Sequence, residues 1–127
     1  MKKILILLFL LAPYLANAQM WFKANAFYVT TDDVTEKWQK CNVTVRLGED
    51  KKVTFYEEGE TYTIRALGEV KKYAEKSGVS GMHWLAVSEK GSNCVVDIQS
   101  DQKSYIHLVL LFYEDNYAIC YNLIHDN

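Results

Sequence analysis

From Met20 to the C-terminus, apolar and polar residues alternate in short runs, and each run ends at a cluster of turn-forming residues. A strand points successive side chains to opposite faces, so a period of two suits half-buried strands. Gln39 to Leu47 shows it most cleanly: Cys41, Val43, Val45 and Leu47 fall on one side, and Lys40, Asn42, Thr44 and Arg46 on the other. Met20 to Thr30 reads as a first strand, with Phe22, Ala24, Ala26 and Tyr28 on one side. Gly48-Glu49-Asp50-Lys51 is a turn signal, and Lys52 to Glu57 returns with Val53 and Phe55 inward. Glu58-Gly59 turns again into Thr61 to Ala66, so Gln39 to Ala66 forms a three-strand meander.

Beyond Gly81 the pattern resumes in Met82 to Ser88, Cys94 to Ile98, Tyr105 to Tyr113 and Tyr117 to Ile124. Turn signals at Glu89–Ser92, Ser100–Lys103 and Glu114–Asn116 separate these runs. Tyr105 to Tyr113 is nearly all apolar, which predicts a strand buried on both faces. Between the two groups, Leu67, Val70, Tyr73 and Ala74 recur at helical spacing, with Lys71, Lys72, Glu75 and Lys76 among them. That spacing predicts one or two helical turns, stopped at Gly78.

Eight strands with short connections and no alternation with helices predict an all-β, mainly antiparallel domain. A small barrel or a sandwich protects the edges of such strands, and we prefer the barrel with a short helical piece at one end. An outer-membrane barrel is not expected. Several strands are shorter than the roughly 9–11 residues needed to span a bilayer, and no outward apolar band opposes a polar interior.

The N-terminus carries a second message. Met1-Lys2-Lys3, an uncharged apolar run from Ile4 to Leu15, and Ala16-Asn17-Ala18 make the three parts of a secretory signal peptide. The apolar run has 12 residues, and a spanning helix needs about 20. Cleavage after Ala18 is expected, leaving a single 109-residue domain, residues 19–127, in the periplasm or outside the cell. Gln19 in place of a cysteine excludes the usual lipoprotein attachment. The mature chain holds twelve basic and sixteen acidic residues, a net charge of −4. That balance argues against a nucleic-acid binder, which needs clustered Lys and Arg, and against anionic lipid as a partner.

No catalytic set is assembled. His83, His107 and His125 lack the HxH or HExxH spacing of a metal site, and no cofactor is implied. His107, between Ile106 and Leu108, reads as a buried histidine with one hydrogen-bond partner. The paired carboxylates Asp32-Asp33, Glu49-Asp50, Glu57-Glu58 and Glu114-Asp115 all fall in turns or loops. Neighbouring strand residues point apart, so such pairs do not face one substrate as a glycosidase requires. Nucleophile-elbow and glycine-rich phosphate-loop motifs are both missing from the sequence. The three cysteines leave two readings open: small buried apolar residues, or one disulfide, for which Cys94 and Cys120 are the candidates.

Aromatic residues are the most suggestive feature. Trp21, Trp38, Trp84 and eight tyrosines lie in the mature chain. Core packing accounts for most of them. A concave aromatic surface is the alternative use. Trp38 opens a strand after a polar loop, and Tyr56 is out of phase with Val53 and Phe55, so both are candidates for a ligand or partner surface. Trp84, beside His83, is a third candidate, at a barrel mouth.

Read together, the segments Trp21-Phe22-Lys23-Ala24, Trp38, Val43-Thr44-Val45-Arg46-Leu47, Val53-Thr54-Phe55-Tyr56 and Tyr62-Thr63-Ile64 resemble a loose group of small exported bacterial proteins of unassigned function. The resemblance covers mainly residues 20–66. It implies a compact β-rich domain and carries over no catalytic residue. The chain also shares size, compartment and strand content with the small exported β-barrel inhibitors of lysozyme, without their serine-rich loop.

These readings favour a non-enzymatic binding or interaction module of the cell envelope or exterior, with a protein, a glycan or a small apolar ligand as partner. A carrier with an apolar ligand inside the barrel is the second expectation. An enzyme built on Cys94 or Cys120 with a histidine is a distant third, because catalytic thiols need an electropositive, accessible setting.

Overall fold

The computed structural model of the protein describes residues 19–32, 34–101 and 105–125; the expected signal peptide, 1–18, lies outside them. Nine strands follow one another: β1 (Met20–Thr31), β2 (Gln39–Leu47), β3 (Val53–Glu57), β4 (Glu60–Ala66), β5 (Lys71–Ala74), β6 (Ser80–Ser88), β7 (Asn93–Ser100), β8 (Ile106–Phe112) and β9 (Tyr117–His125). All neighbours are antiparallel. β1 pairs with both β2 and β9, and β4 pairs with β6, which closes an eight-strand barrel and leaves β5 as one extra strand. The predicted all-β barrel is therefore the observed architecture.

The alternation seen in the sequence becomes the two faces of the wall. Phe22, Val43, Val45, Leu47, Phe55, Met82, Trp84, Val96, Leu108 and Leu110 point inward and are almost wholly buried. Large side chains thus fill the barrel axis, as expected when only eight strands enclose it.

The expected helix is not formed: the described residues contain no helix. Lys71 to Ala74 instead pairs with the first half of β6, in the register Lys71↔His83 to Ala74↔Ser80. β4 pairs with the last three residues of that same β6 edge, Ala86–Ser88. β4 and β5 are therefore two halves of one wall, broken where the Leu67 and Gly68 amides both donate to the Leu85 carbonyl. The helical spacing had another cause. Leu67 is exposed outside the break, Val70 packs on the core, and Tyr73 lies across β6.

Two further expectations are corrected. A β-bulge between Ala24 and Ala26 shifts β1 against both neighbours. An extra residue reverses the faces beyond it. Phe22 and Ala24 point inward as expected, but past the bulge Phe27 takes the inward position against Tyr121, and Tyr28 turns outward beside Trp38. In β8, only Leu108, Leu110 and Phe112 are buried, and Leu111 is exposed. It joins Leu85 and Val95, its neighbours along the register, in an apolar row on the outer wall.

Candidate functional site

The bulge creates the site. It aims Tyr28 at the outer face, beside its register partner Cys120 on β9, and its ring meets Trp38 edge-on, centroids 4.7 Å apart. Trp38 is held there by the β1–β2 connection. The Glu36 amide donates to the Val29 carbonyl, the Thr30 and Thr35 hydroxyls lie 2.6 Å apart, and Gln39 Nε2 donates to Glu36 Oε2. A connection tied to its own strand in this way gives the indole a fixed seat rather than a free loop.

Trp38 is half exposed, and its other neighbour is His107 on β8, with ring centroids 6.0 Å apart. His107 pairs with Asn122, and Asn122 with Ala26 and through it Lys40, so one transverse row of the outer wall lies at the foot of the indole. Asn122 Nδ2 donates to Asn25 Oδ1 at 2.9 Å, which orients both amides. Tyr105, 56% exposed, stands on the far side. Together these residues line an open cleft of about 780 Å³.

Of the residues singled out from the sequence, Trp38 is therefore at a cleft. Tyr56 is not with it. Its ring stacks on Trp21 at 5.8 Å on the β1–β3 wall, and the Arg46 guanidinium sits 5.8 Å from the Trp21 ring. Trp84 presents no exposed ring: it is 1% exposed, between Met82 and Ala86 on the inward face of β6. It is a core residue, because inward phase decides its place, and its neighbour His83 takes the outward one. His107, expected to be buried, is outward and only half-buried. The bulge, which sequence reading missed, brings Tyr28 outward against Trp38, where it supports the indole without lining the cleft. The bulge's trace in the sequence is that the alternation of Phe22 to Ala26 gives way to the unbroken apolar run Ala26-Phe27-Tyr28-Val29.

A Cys94–Cys120 disulfide is ruled out by phase. Cys94 lies in the core, whereas Cys120 is on the outward face of β9 beneath Tyr28. The sheet wall separates them, and all three cysteines are free. Burial pushes the Cys94 thiol up to about 11. Burial also raises Cys120, although the Tyr28 hydroxyl pulls it partly back. Raised thiols are poor nucleophiles. We expect brief iodoacetamide treatment of the folded protein to leave Cys94 and Cys120 unmodified, as read by peptide mass spectrometry. Labelling of either at the rate seen in denaturant would restore the thiol-enzyme reading.

A second polar cluster lies along the next outer row. The Tyr73 hydroxyl donates to Asp97 Oδ1 at 2.7 Å, and the Tyr73 ring lies 5.6 Å from that of His83. Burial raises Asp97, while Tyr73 and His83 hold it partly down and Glu75 adds to the rise. Acid, phenol and imidazole are thus close together, with one carboxylate oxygen already taken by the tyrosine hydroxyl. A carboxyl raised in the folded state binds more protons there than in the unfolded chain. Its contribution to stability is therefore present at low pH and is lost as pH rises from the ordinary Asp value of 3.8 through the folded one. Urea midpoints across that window should fall with pH in the wild type, and this part of the slope should vanish in Asp97→Asn. Equal slopes would show that Asp97 titrates normally.

Among the described residues, no three His, Cys, Asp or Glu side chains gather to hold a metal ion. No family model, curated protein or solved structure matches the chain.

Proposed function

We propose that the protein is an exported, non-enzymatic binding module, and that the Trp38 cleft takes a sugar ring. The observation that carries this reading is the pairing of exposed aromatic faces with oriented amides in one open cleft. Trp38 and Tyr105 offer flat apolar surface, and Asn25, Asn122, His107 and Lys40 surround it with donors and acceptors. A pyranose has one face of C–H groups and a rim of hydroxyls, so it matches both halves of that lining. Lys40 makes a quaternary ammonium an unsuitable guest and favours a sugar that bears a carboxylate.

The signal-peptide pattern at 1–18 supports export. A ligand inside the barrel is disfavoured by the axis itself, which Trp84, Phe22, Phe55 and Met82 fill with almost no exposure. An enzymatic role finds no support in the raised thiols.

The test is a glycan array probed with the exported protein, followed by calorimetry on any hit. Trp38→Ala should weaken binding by roughly tenfold or more, the loss expected for one buried aromatic contact of about 1–2 kcal/mol. Its urea midpoint should barely move, because the residue is half exposed. Binding that survives Trp38→Ala would remove the cleft from consideration, and an array with no hit would remove the sugar.

A further inference from the structure

The barrel mouth that carries the β3–β4, β6–β7 and β8–β9 turns has a notch in its wall. β4 runs past the end of β6: only Ile64 to Ala66 pair with it, and Glu60 to Thr63 have β3 on one side and no strand on the other among the described residues. Backbone groups of alternate strand residues point the same way. The Thr63 amide points into the notch, where it donates to Glu89 Oε1 at 2.7 Å, and the Thr63 hydroxyl donates to the same oxygen at 2.9 Å. Thr61 therefore presents its amide and carbonyl to the notch as well, and these are open. Native sheets rarely leave such an edge unguarded. Here the guard is one glutamate side chain.

The notch opens into a cleft of about 570 Å³. Tyr62 forms one wall, stacked on Phe55 at 4.8 Å with its hydroxyl 3.3 Å from that of Tyr121. Phe112 and Tyr117, stacked at 4.9 Å, form the opposite wall. The rim is acidic. Glu60 and Glu89 line the cleft with a single base, Lys90, while Glu57 ends β3 and Glu58 opens the adjoining turn. Glu57 is close enough to act electrostatically on Tyr62 and Tyr121. The two hydrogen bonds from Thr63 hold the Glu89 carboxylate by one oxygen and leave the other free to accept.

We propose that this notch binds an extended, basic segment of a partner protein, which adds alongside Thr61 and places an Arg or Lys against Glu89 and the aromatic walls. A cation on an aliphatic stem satisfies both the carboxylate and the ring faces. The open edge selects a peptide over a free cation, since only a main chain offers donors and acceptors at strand spacing. This site is on a different part of the barrel from the Trp38 cleft and does not depend on it.

The probe is a fluorescein-labelled nonapeptide of alternating Arg and Thr, titrated with the exported protein and read by anisotropy. Binding should weaken as salt rises. Glu89→Gln keeps an oxygen for Thr63, so the fold is kept, and it should weaken binding by about fivefold, the scale of one exposed charge pair. Methylating the peptide's backbone amides on one edge should abolish binding, and an alternating Glu and Thr peptide should show none. Trp38→Ala should change nothing, so failure here is separable from failure of the sugar reading. Equal binding of the methylated peptide, or full competition by free arginine at matched cation concentration, would overturn strand addition. Concentration-dependent oligomers that block the peptide would overturn it in favour of a second copy of the chain, and no binding at all would overturn the site.

Discussion

Replacing Trp84 with alanine should lower the unfolding free energy by about 3–5 kcal/mol, the cost of deleting a large buried aromatic side chain. The indole is 1% exposed and is the largest fully buried side chain in the barrel. Its inward neighbours along the register, Val96 and then Leu110, come from strands on the same wall and are pinned by their own ladders, so they cannot collapse into the void. A single domain typically has only about 5–15 kcal/mol to lose. The variant should therefore sit near its folding threshold at room temperature, with a guanidinium midpoint far below that of the wild type by far-ultraviolet circular dichroism. Trp84→Phe is the informative partner. The Trp84 Nε1 hydrogen has no acceptor, and phenylalanine removes that unpaired donor while keeping most of the volume. It should lose less than half as much. If Trp84→Ala were nearly neutral, the axis would not be filled in the way its burial indicates, and an internal ligand would need to be reconsidered.

The second large effect is expected at Gly81. A Cβ there would collide with the Ile98 carbonyl oxygen on β7 and stand 2.9 Å from the Tyr73 hydroxyl and 3.0 Å from Gln99 Cα. Glycine is what lets the Tyr73 ring cross β6 from its register partner position and reach Asp97, as aromatic side chains often do over a strand glycine. Gly81→Ala should cost about 3 kcal/mol, at the upper end for overpacking because the obstacle is backbone rather than a movable side chain. Tyr73→Phe, which deletes only the hydrogen bond, should cost about 1 kcal/mol. The double variant Gly81→Ala with Tyr73→Ala separates the causes. A displaced ring would be rescued by removing the ring, whereas the collision with Ile98 would not be relieved. We expect no rescue in the thermal midpoint.

The two variants bear on different links of the chain from sequence to function. Trp84 supports the closed barrel as a whole. Gly81 and Tyr73 hold β5 against it, and β5 completes the wall where β4 stops. Loss of that strap should leave the Trp38 cleft intact, since its residues come from β1, β2, β8 and β9 and from the positions just before β2 and β8. Sugar binding by a folded Tyr73→Phe protein should therefore match that of the wild type.

Much of the barrel was legible before any coordinates. The alternation in Gln39–Leu47 and in Met82–Ser88 reports a wall with one wet and one dry face, and closely spaced turns leave antiparallel neighbours as the simple outcome. Strand boundaries followed the turn residues, and the register followed the apolar face. What the sequence could not reveal was set by contacts between distant residues. Whether Trp84 or His83 points inward depends on which phase of β6 meets the core. Leu67 to Ala74 carries a helical spacing, but the free edge of β6 offers Lys71 to Ala74 a row of backbone partners, and pairing there satisfies groups that a short isolated helix would leave open. The bulge at Asn25 inverts one end of β1 against β9, where Ala24 and Ala26 face the consecutive residues Leu123 and Asn122, and no local rule places it there. Composition and period thus determined a β-barrel with an apolar axis. The tertiary structure alone decided which aromatic residues face outward, because a one-residue shift exchanges the two faces of a strand.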